Sequence, residues 1–219
     1  MKKAHRILPV FVFIVIGVFL WWNIQKVGIN HEINELEQAG NIGEVEKRID
    51  NVTLGNCDRL IDEGYLIELK MFNGVFYNDP NPGAFEGDNW VGNCKLILSA
   101  DDKILSEYAM DGDWKEALRF QKKFEIQAFD YYSNGEIEFL IGQYGSSNLN
   151  EYRLYRITAD KKIELVEEAG IINISGKEKY SCLFDISKDG QVSYDYYDNS
   201  KGRNVKRVIR FESGTVIIE

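Results

Sequence analysis

From Tyr65 to the C-terminus the chain repeats one device: two short segments alternating between apolar and polar residues, joined by a tight polar turn. Side chains on a strand point to opposite faces in turn, so alternation builds half-buried strands, and so short a turn can only return the chain antiparallel. Tyr65–Phe72 and Val75–Asn78 flank Asn73-Gly74, and Lys95–Ser99 and Lys103–Met110 flank Ala100-Asp101-Asp102. Phe124–Tyr131 and Glu136–Gln143 flank Ser133-Asn134-Gly135, while Tyr152–Thr158 and Lys162–Glu167 flank Ala159-Asp160-Lys161. Tyr180–Ile186 and Gln191–Tyr197 flank Lys188-Asp189-Gly190, and Val205–Glu212 and Thr215–Ile218 flank Ser213-Gly214. Pro9, Pro80 and Pro82 all lie outside these segments, as prolines must if the segments donate ladder hydrogen bonds. The pattern predicts an all-β fold of antiparallel meanders, propeller-blade-like or a sandwich.

An internal echo refines the expectation. Phe129-Asp130 through Phe139 aligns with Phe184-Asp185 through Tyr194, each copy turning at Asn-Gly or Asp-Gly and ending on an aromatic residue. Each is followed by a second hairpin, so the unit is a four-strand meander, with copies near 124–168 and 179–219. Two such units and a divergent first one (Tyr65–Met110) are too few to close a ring, which favours an open stack of meanders or a sandwich.

The N-terminus obeys a different rule. Ile7–Trp22 carries no charge, and Ile7–Ile24 as a helix would span roughly 27 Å, the thickness of a hydrocarbon core. Lys2, Lys3 and Arg6 precede it and place residues 1–6 in the cytoplasm, sending the rest of the chain outside; Trp21 and Trp22 suit the far interface. Phe19–Asn23 offers no small residues for signal-peptide cleavage, so the segment reads as an uncleaved signal-anchor. Residues 25–52 read as a juxtamembrane stalk with short helices: Asn41 and Glu44 form a capping-box pattern, and Ile42, Val45, Ile49 and Val52 follow at near-helical spacing. Asp113–Glu116 has a similar capping pattern, and residues 53–219 form the extracytoplasmic β domain.

Charge and histidine content exclude several functions. The chain carries a net −9, but beyond Trp22 the balance is 23 basic against 35 acidic residues, a net −12 that repels a phosphate backbone; no nucleic-acid partner is expected. His5 and His31 both lie near the N-terminus, so Ser-His-Asp, Cys-His and His-zinc sites have no histidine in the β domain. No acidic pair stands out for a carboxylate-based hydrolase. No catalytic residue is nominated, and the chain is read as a non-enzyme.

The turn of the first repeat carries the most specific chemistry. Asp130, Asn134 and Glu138 stand at positions 1, 5 and 9 of a loop with Gly135 at position 6, the logic of a calcium loop in which oxygens converge around a sharp turn. Asp185 and Asp189 repeat positions 1 and 5 in the second copy, which ends on Ser193 instead of a carboxylate. The motif resembles the Asp-rich blade loop of FG-GAP and VCBS-type extracellular repeats over roughly 124–219, with Tyr132 in place of the usual Asp or Asn; the resemblance implies a weakly bound Ca²⁺. The alternative is that Asn-Gly and Asp-Gly serve only the hairpin turn.

Gly142–Asn150 is similar to stretches in extracytoplasmic domains of Gram-positive membrane proteins, and its Gln143, Tyr144, Ser146, Ser147 and Asn148 are candidates to line a ligand site on a β scaffold; an ordinary connecting loop is the alternative. The tyrosines of the body, among them Tyr152, Tyr155, Tyr180 and Tyr194, can stack on sugar rings or pair across strands. Cys57, Cys94 and Cys182 allow one disulfide outside the membrane, with Cys57–Cys94 the preferred pair, or three buried thiols. Together these features predict a single-pass membrane protein presenting a binding domain for a protein or cell-wall partner. An accessory or sensor subunit of a membrane complex is the rival reading.

Overall fold

The computed structural model describes residues 47–57, 64–131, 134–212 and 215–219. Those residues form an all-β body of three sheets, none closed, antiparallel apart from one short pairing.

The first sheet grows from a long hairpin, β3 (Tyr65–Asp79) and β4 (Gly87–Ala100). Each long strand holds two partners along its outer edge. β1 (Lys47–Ile49) and β2 (Val52–Cys57) line β3, while β5 (Lys103–Ala109) and β6 (Leu118–Phe120) line β4. β7 (Phe124–Glu125) adds in parallel to β2. The second sheet runs β8 (Ala128–Phe129), β9 (Ile137–Ser146), β10 (Leu149–Ile157) and β11 (Ile163–Leu165), with β12 (Ile172–Ile174) pairing on β10. The third runs β13 (Asp185–Ile186), β14 (Val192–Asp198), β15 (Arg203–Glu212) and β16 (Thr215–Ile218). In the last two sheets, neighbours along the path are consecutive in sequence, the order of a meander.

The second sheet is the middle layer. Ile137, Phe139, Ile141, Tyr155 and Ile157 pack with Leu69, Leu96, Leu98 and Phe120 of the first sheet. The alternate positions Leu140, Tyr152 and Leu154 pack with Val192, Tyr194, Ile209 and Val216 of the third. Two buried faces explain why β9 is buried continuously from Ile137 to Gly142: a strand between two layers has no solvent side.

Five expectations change, the first being Tyr180–Ile186, of which only Asp185–Ile186 is strand. Asn73-Gly74 is no turn: β3 runs straight through it with a bulge between Met71 and Asn73, and the chain reverses between Asp79 and Gly87. Gly74 faces Gly92 across the ladder, and a Cβ on Gly92 would lie 2.2 Å from the Asn73 carbonyl; these glycines serve close approach of two backbones. Lys47–Ile49 and Val52 lie in strands, because β3 offers them a ladder, so the C-terminal end of the expected stalk helix is corrected; Asn41–Glu46 lie outside the described residues. Asp113–Glu116 forms turns and bends, since Asp113 turns its carboxylate inward instead of capping a helix. Phe124–Tyr131 is two short strands, β7 and β8, which serve different sheets.

The tight turns at Asp101-Asp102 (φ 48° and 60°), at Lys161 (φ 63°) and at Gly190 (φ 81°) stand where the alternation places them. Among the described residues no helix is long and apolar enough to cross a membrane, and Ile7–Ile24 lies outside them.

Candidate functional site

A groove of about 460 Å³ opens where the first and second sheets meet. Its second-sheet wall follows from strand parity. Gln143 on β9 and Glu151 on β10 are cross-strand partners, and both lie on the face turned toward the first sheet. Beyond the apolar core, that face meets β6: the Arg119 amide donates to Gln143 Oε1 at 2.8 Å, and Gln143 Nε2 donates back to the Gly142 carbonyl at 2.9 Å.

Aromatic rings organise the charged groups. The Arg119 guanidinium lies over the Phe85 ring, 4.2 Å from its centroid, with the Tyr77 ring at 6.0 Å. Phe85 meets Tyr144 edge-on at 5.5 Å, and Lys179 Nζ sits 5.6 Å from the Tyr144 ring while donating to Gln121 Oε1 at 2.7 Å. Burial, aided by the charge of Lys122, lowers the Lys179 pKa. A guanidinium placed over a ring keeps its N–H edge available for a ligand.

The remaining wall is the loop after β5, with Trp114 and Ala117 lining the groove and Ile171 facing it from beyond β11. Asp113 anchors this loop. It is 8% exposed; its Oδ1 accepts from Tyr108 OH at 3.0 Å, its Oδ2 from Tyr155 OH at 2.8 Å, and its carbonyl from Arg153 Nε at 2.9 Å. Burial raises the Asp113 carboxyl above the usual carboxylate range, opposed by the two tyrosine hydroxyls and Arg153. The carboxylate therefore fixes the wall and takes no direct part in the groove.

Of the five residues nominated from the Gly142–Asn150 loop, Gln143 and Tyr144 line the groove. Ser146, Ser147 and Asn148 form the exposed tip of the β9–β10 hairpin, where Ser146 Oγ accepts the Asn148 amide at 3.4 Å. Phe85, Trp114, Arg119 and Ile171 escape a linear reading because each comes from a different part of the chain, three from separate connections and Arg119 from β6. Arg119 sits in a three-residue strand and Trp114 in a run that reads as a helix start.

The calcium candidates do not converge. Both Asp130 oxygens accept turn amides, Oδ1 from Asn134 at 3.2 Å and Oδ2 from Gly135 at 3.0 Å, while Asn134 Oδ1 accepts from Glu136 at 2.9 Å. Glu138 points away, fully buried beside Arg156, because parity on the middle strand turns position 138 inward. In the second copy Asp185 pairs with Lys177 at 2.6 Å, and Asp189 accepts from Ser187 Oγ. Among the described residues no three His, Cys, Asp or Glu side chains gather to hold a metal ion. With these oxygens engaged in turns and ion pairs, millimolar Ca²⁺ is expected to leave the thermal unfolding midpoint within about 1 °C of its value in chelator. A rise of several degrees would show the loops re-forming around the ion.

The expected Cys57–Cys94 bridge is absent: Cys57, Cys94 and Cys182 are free and buried. Cys57 pairs with Ile67 and Cys94 with Met71, on opposite sides of β3. Two strand spacings and a four-residue offset hold their Cα atoms roughly 16 Å apart, far beyond disulfide reach. Burial, aided by the charge of Asp111, pushes the Cys94 thiol far up, as befits a small core hydrophobe. Tyr152, Tyr155, Tyr180 and Tyr194 are core residues as well, so none offers a face to a sugar.

No protein-family model matches the chain, and comparison with curated proteins and with solved structures finds no match.

Proposed function

We propose that the chain is a membrane-tethered binding module whose recognition surface is the groove between the first and second sheets. One observation carries this reading. Gln143, Tyr144 and Glu151 from one sheet converge with Arg119, Phe85 and Trp114 from the other around a concave volume of ligand size. A groove that joins rings, a stacked guanidinium and carboxylates to a rigid frame has the composition of a recognition site. In this reading the three sheets are an open stack of blade-like meanders. The uncharged run Ile7–Ile24, with Lys2, Lys3 and Arg6 before it, holds that stack outside the membrane.

The test is a photocrosslinking side chain in place of Ile171 at the groove, with another in place of Lys206 on the third sheet as control, in the cells the chain comes from. A discrete adduct at position 171, lost on Tyr144→Ala and not seen at 206, is the expected result. Equal labelling at both positions, or adducts confined to Ile7–Trp22, would overturn the reading in favour of an accessory subunit held by its anchor. Protease added to intact cells is expected to remove the β domain and spare only the first residues.

A further inference from the structure

We infer that the groove takes a short peptide by its free C-terminal carboxylate, with Arg119 as the anion clamp. This rests on the groove being the recognition surface and adds the chemical class of its ligand.

Charge within the groove is balanced and unspent. Arg119 and Lys115 face Glu116 and Glu151, so the lining is neutral although the body is strongly acidic. Among the described residues, neither Arg119 nor Glu151 has an ion-pair partner. They flank Gln143, which bonds the Arg119 backbone on one side and stands opposite Glu151 on the other. A cation and an anion held on either side of one amide fit a ligand that carries both charges close together, or a carboxylate next to an N–H donor. A polyanion would meet Glu116 and Glu151, and a polycation would meet Arg119 and Lys115.

The form of the cation narrows the anion. The guanidinium carbon lies 4.2 Å over the Phe85 centroid, and a guanidinium fork meets a planar carboxylate through two parallel hydrogen bonds. Gly145 keeps the neighbouring anion in place, since a Cβ there would lie 2.8 Å from Glu151 Cγ. The apolar part of the wall, Trp114, Ala117 and Ile171, gives the terminal side chain a surface to cover. A glycan would need an exposed aromatic platform, and Tyr152, Tyr155, Tyr180 and Tyr194 are in the core. A peptide end supplies all three elements at once: carboxylate for Arg119, amide N–H or amine for Glu151, and a side chain for the apolar wall.

The experiment uses the full chain in detergent and two pools of tripeptides, Ala-Ala-Xaa with apolar Xaa, one with free C-termini and one amidated, read by saturation-transfer NMR and calorimetry. The free acids are expected to bind about tenfold or more tightly than the amides, since amidation removes the charge-assisted pair. Arg119→Gln should reduce the acids to the level of the amides, with Arg119→Lys intermediate because it keeps the charge without the fork. Equal binding of acids and amides by the parent chain overturns the inference without recourse to any variant. Amide-tolerant binding that Tyr144→Ala abolishes would sink the carboxylate clamp and leave the groove as the recognition surface. Failure of both pools alongside a position-171 adduct has the same meaning, and failure of both with no adduct removes the two readings together.

Discussion

Arg156→Met is expected to lower the unfolding free energy by about 3–5 kcal/mol, the cost of leaving a buried charge without its partner. Arg156 is 6% exposed and lies between the second and third sheets, its Nε 3.3 Å from Glu138 Oε1 and 3.5 Å from Glu136 Oε2. Glu138 is completely buried. Burial pushes its carboxyl up to about 7, with Arg156 and the Tyr131 amide pulling it down and Asp130 and Glu136 pushing it up. Above about pH 7, where this carboxyl is ionised, removing the guanidinium strands its charge in an apolar layer. Glu138→Leu combined with Arg156→Met should recover most of the loss, because two charges no longer need to be desolvated.

The same pair sets a pH dependence. A folded-state value near 7 against a free value of 4.5 means that the folded chain holds this proton more tightly than the unfolded one. Stability contributed by the protonated carboxyl is therefore complete below pH 4.5 and is lost as the pH rises through about 7. The change amounts to at most about 3 kcal/mol across that window. Asp160, Asp189 and Asp198 are shifted downward by local hydrogen bonds and act in a more acidic range. Urea unfolding at pH 5 and pH 8 checks both expectations. The double variant should show a flatter profile, and an Arg156→Met chain as stable as its parent would mean the pair is not desolvated.

Gly142→Ala is the second large effect, about 3 kcal/mol or more by thermal or urea unfolding. Its amide donates to the Tyr180 carbonyl at 2.9 Å, bringing β9 against the segment before β13. A Cβ at this position would lie 2.3 Å from the Lys179 carbonyl oxygen and 2.5 Å from the Tyr152 ring. Tyr152 cannot yield, since it is fully buried and its hydroxyl donates to the Glu178 carbonyl. Gly135→Ala is the control: φ is +80° but the surrounding space is open, so only backbone strain of about 1 kcal/mol is expected. Equal effects at the two positions would show that the close approach at Gly142 is relieved without cost.

These two sites mark where a linear reading stops. Gly142, in a motif noted for its polar neighbours, gives no sign that another backbone passes within contact of it. Glu138 fits a calcium loop by spacing, but a strand in a middle layer turns both its faces inward, and residue 138 falls on one of them. Asn73-Gly74 has the composition of a turn; the glycine is there instead for the approach of β4, a need that arises only when Gly92 is opposite. The cysteine pairing failed for a like reason, since register on β3 separates residues that suit one another in sequence.

The alternation of residues beyond Tyr65 determined by itself that this body is all-β and largely antiparallel. The Asp101-Asp102, Lys161 and Gly190 turns placed its hairpins, because period-two patterning and positive-φ turns act over a few residues and need no distant partner. Only the tertiary structure decided which sheet lies between the other two, which charged residues are buried there, and which side chains meet in the groove. Those outcomes depend on layers pressed face to face. Arg119, Trp114, Phe85 and Gln143 become neighbours only after two sheets stack and their ends come together, and no local periodicity carries that information.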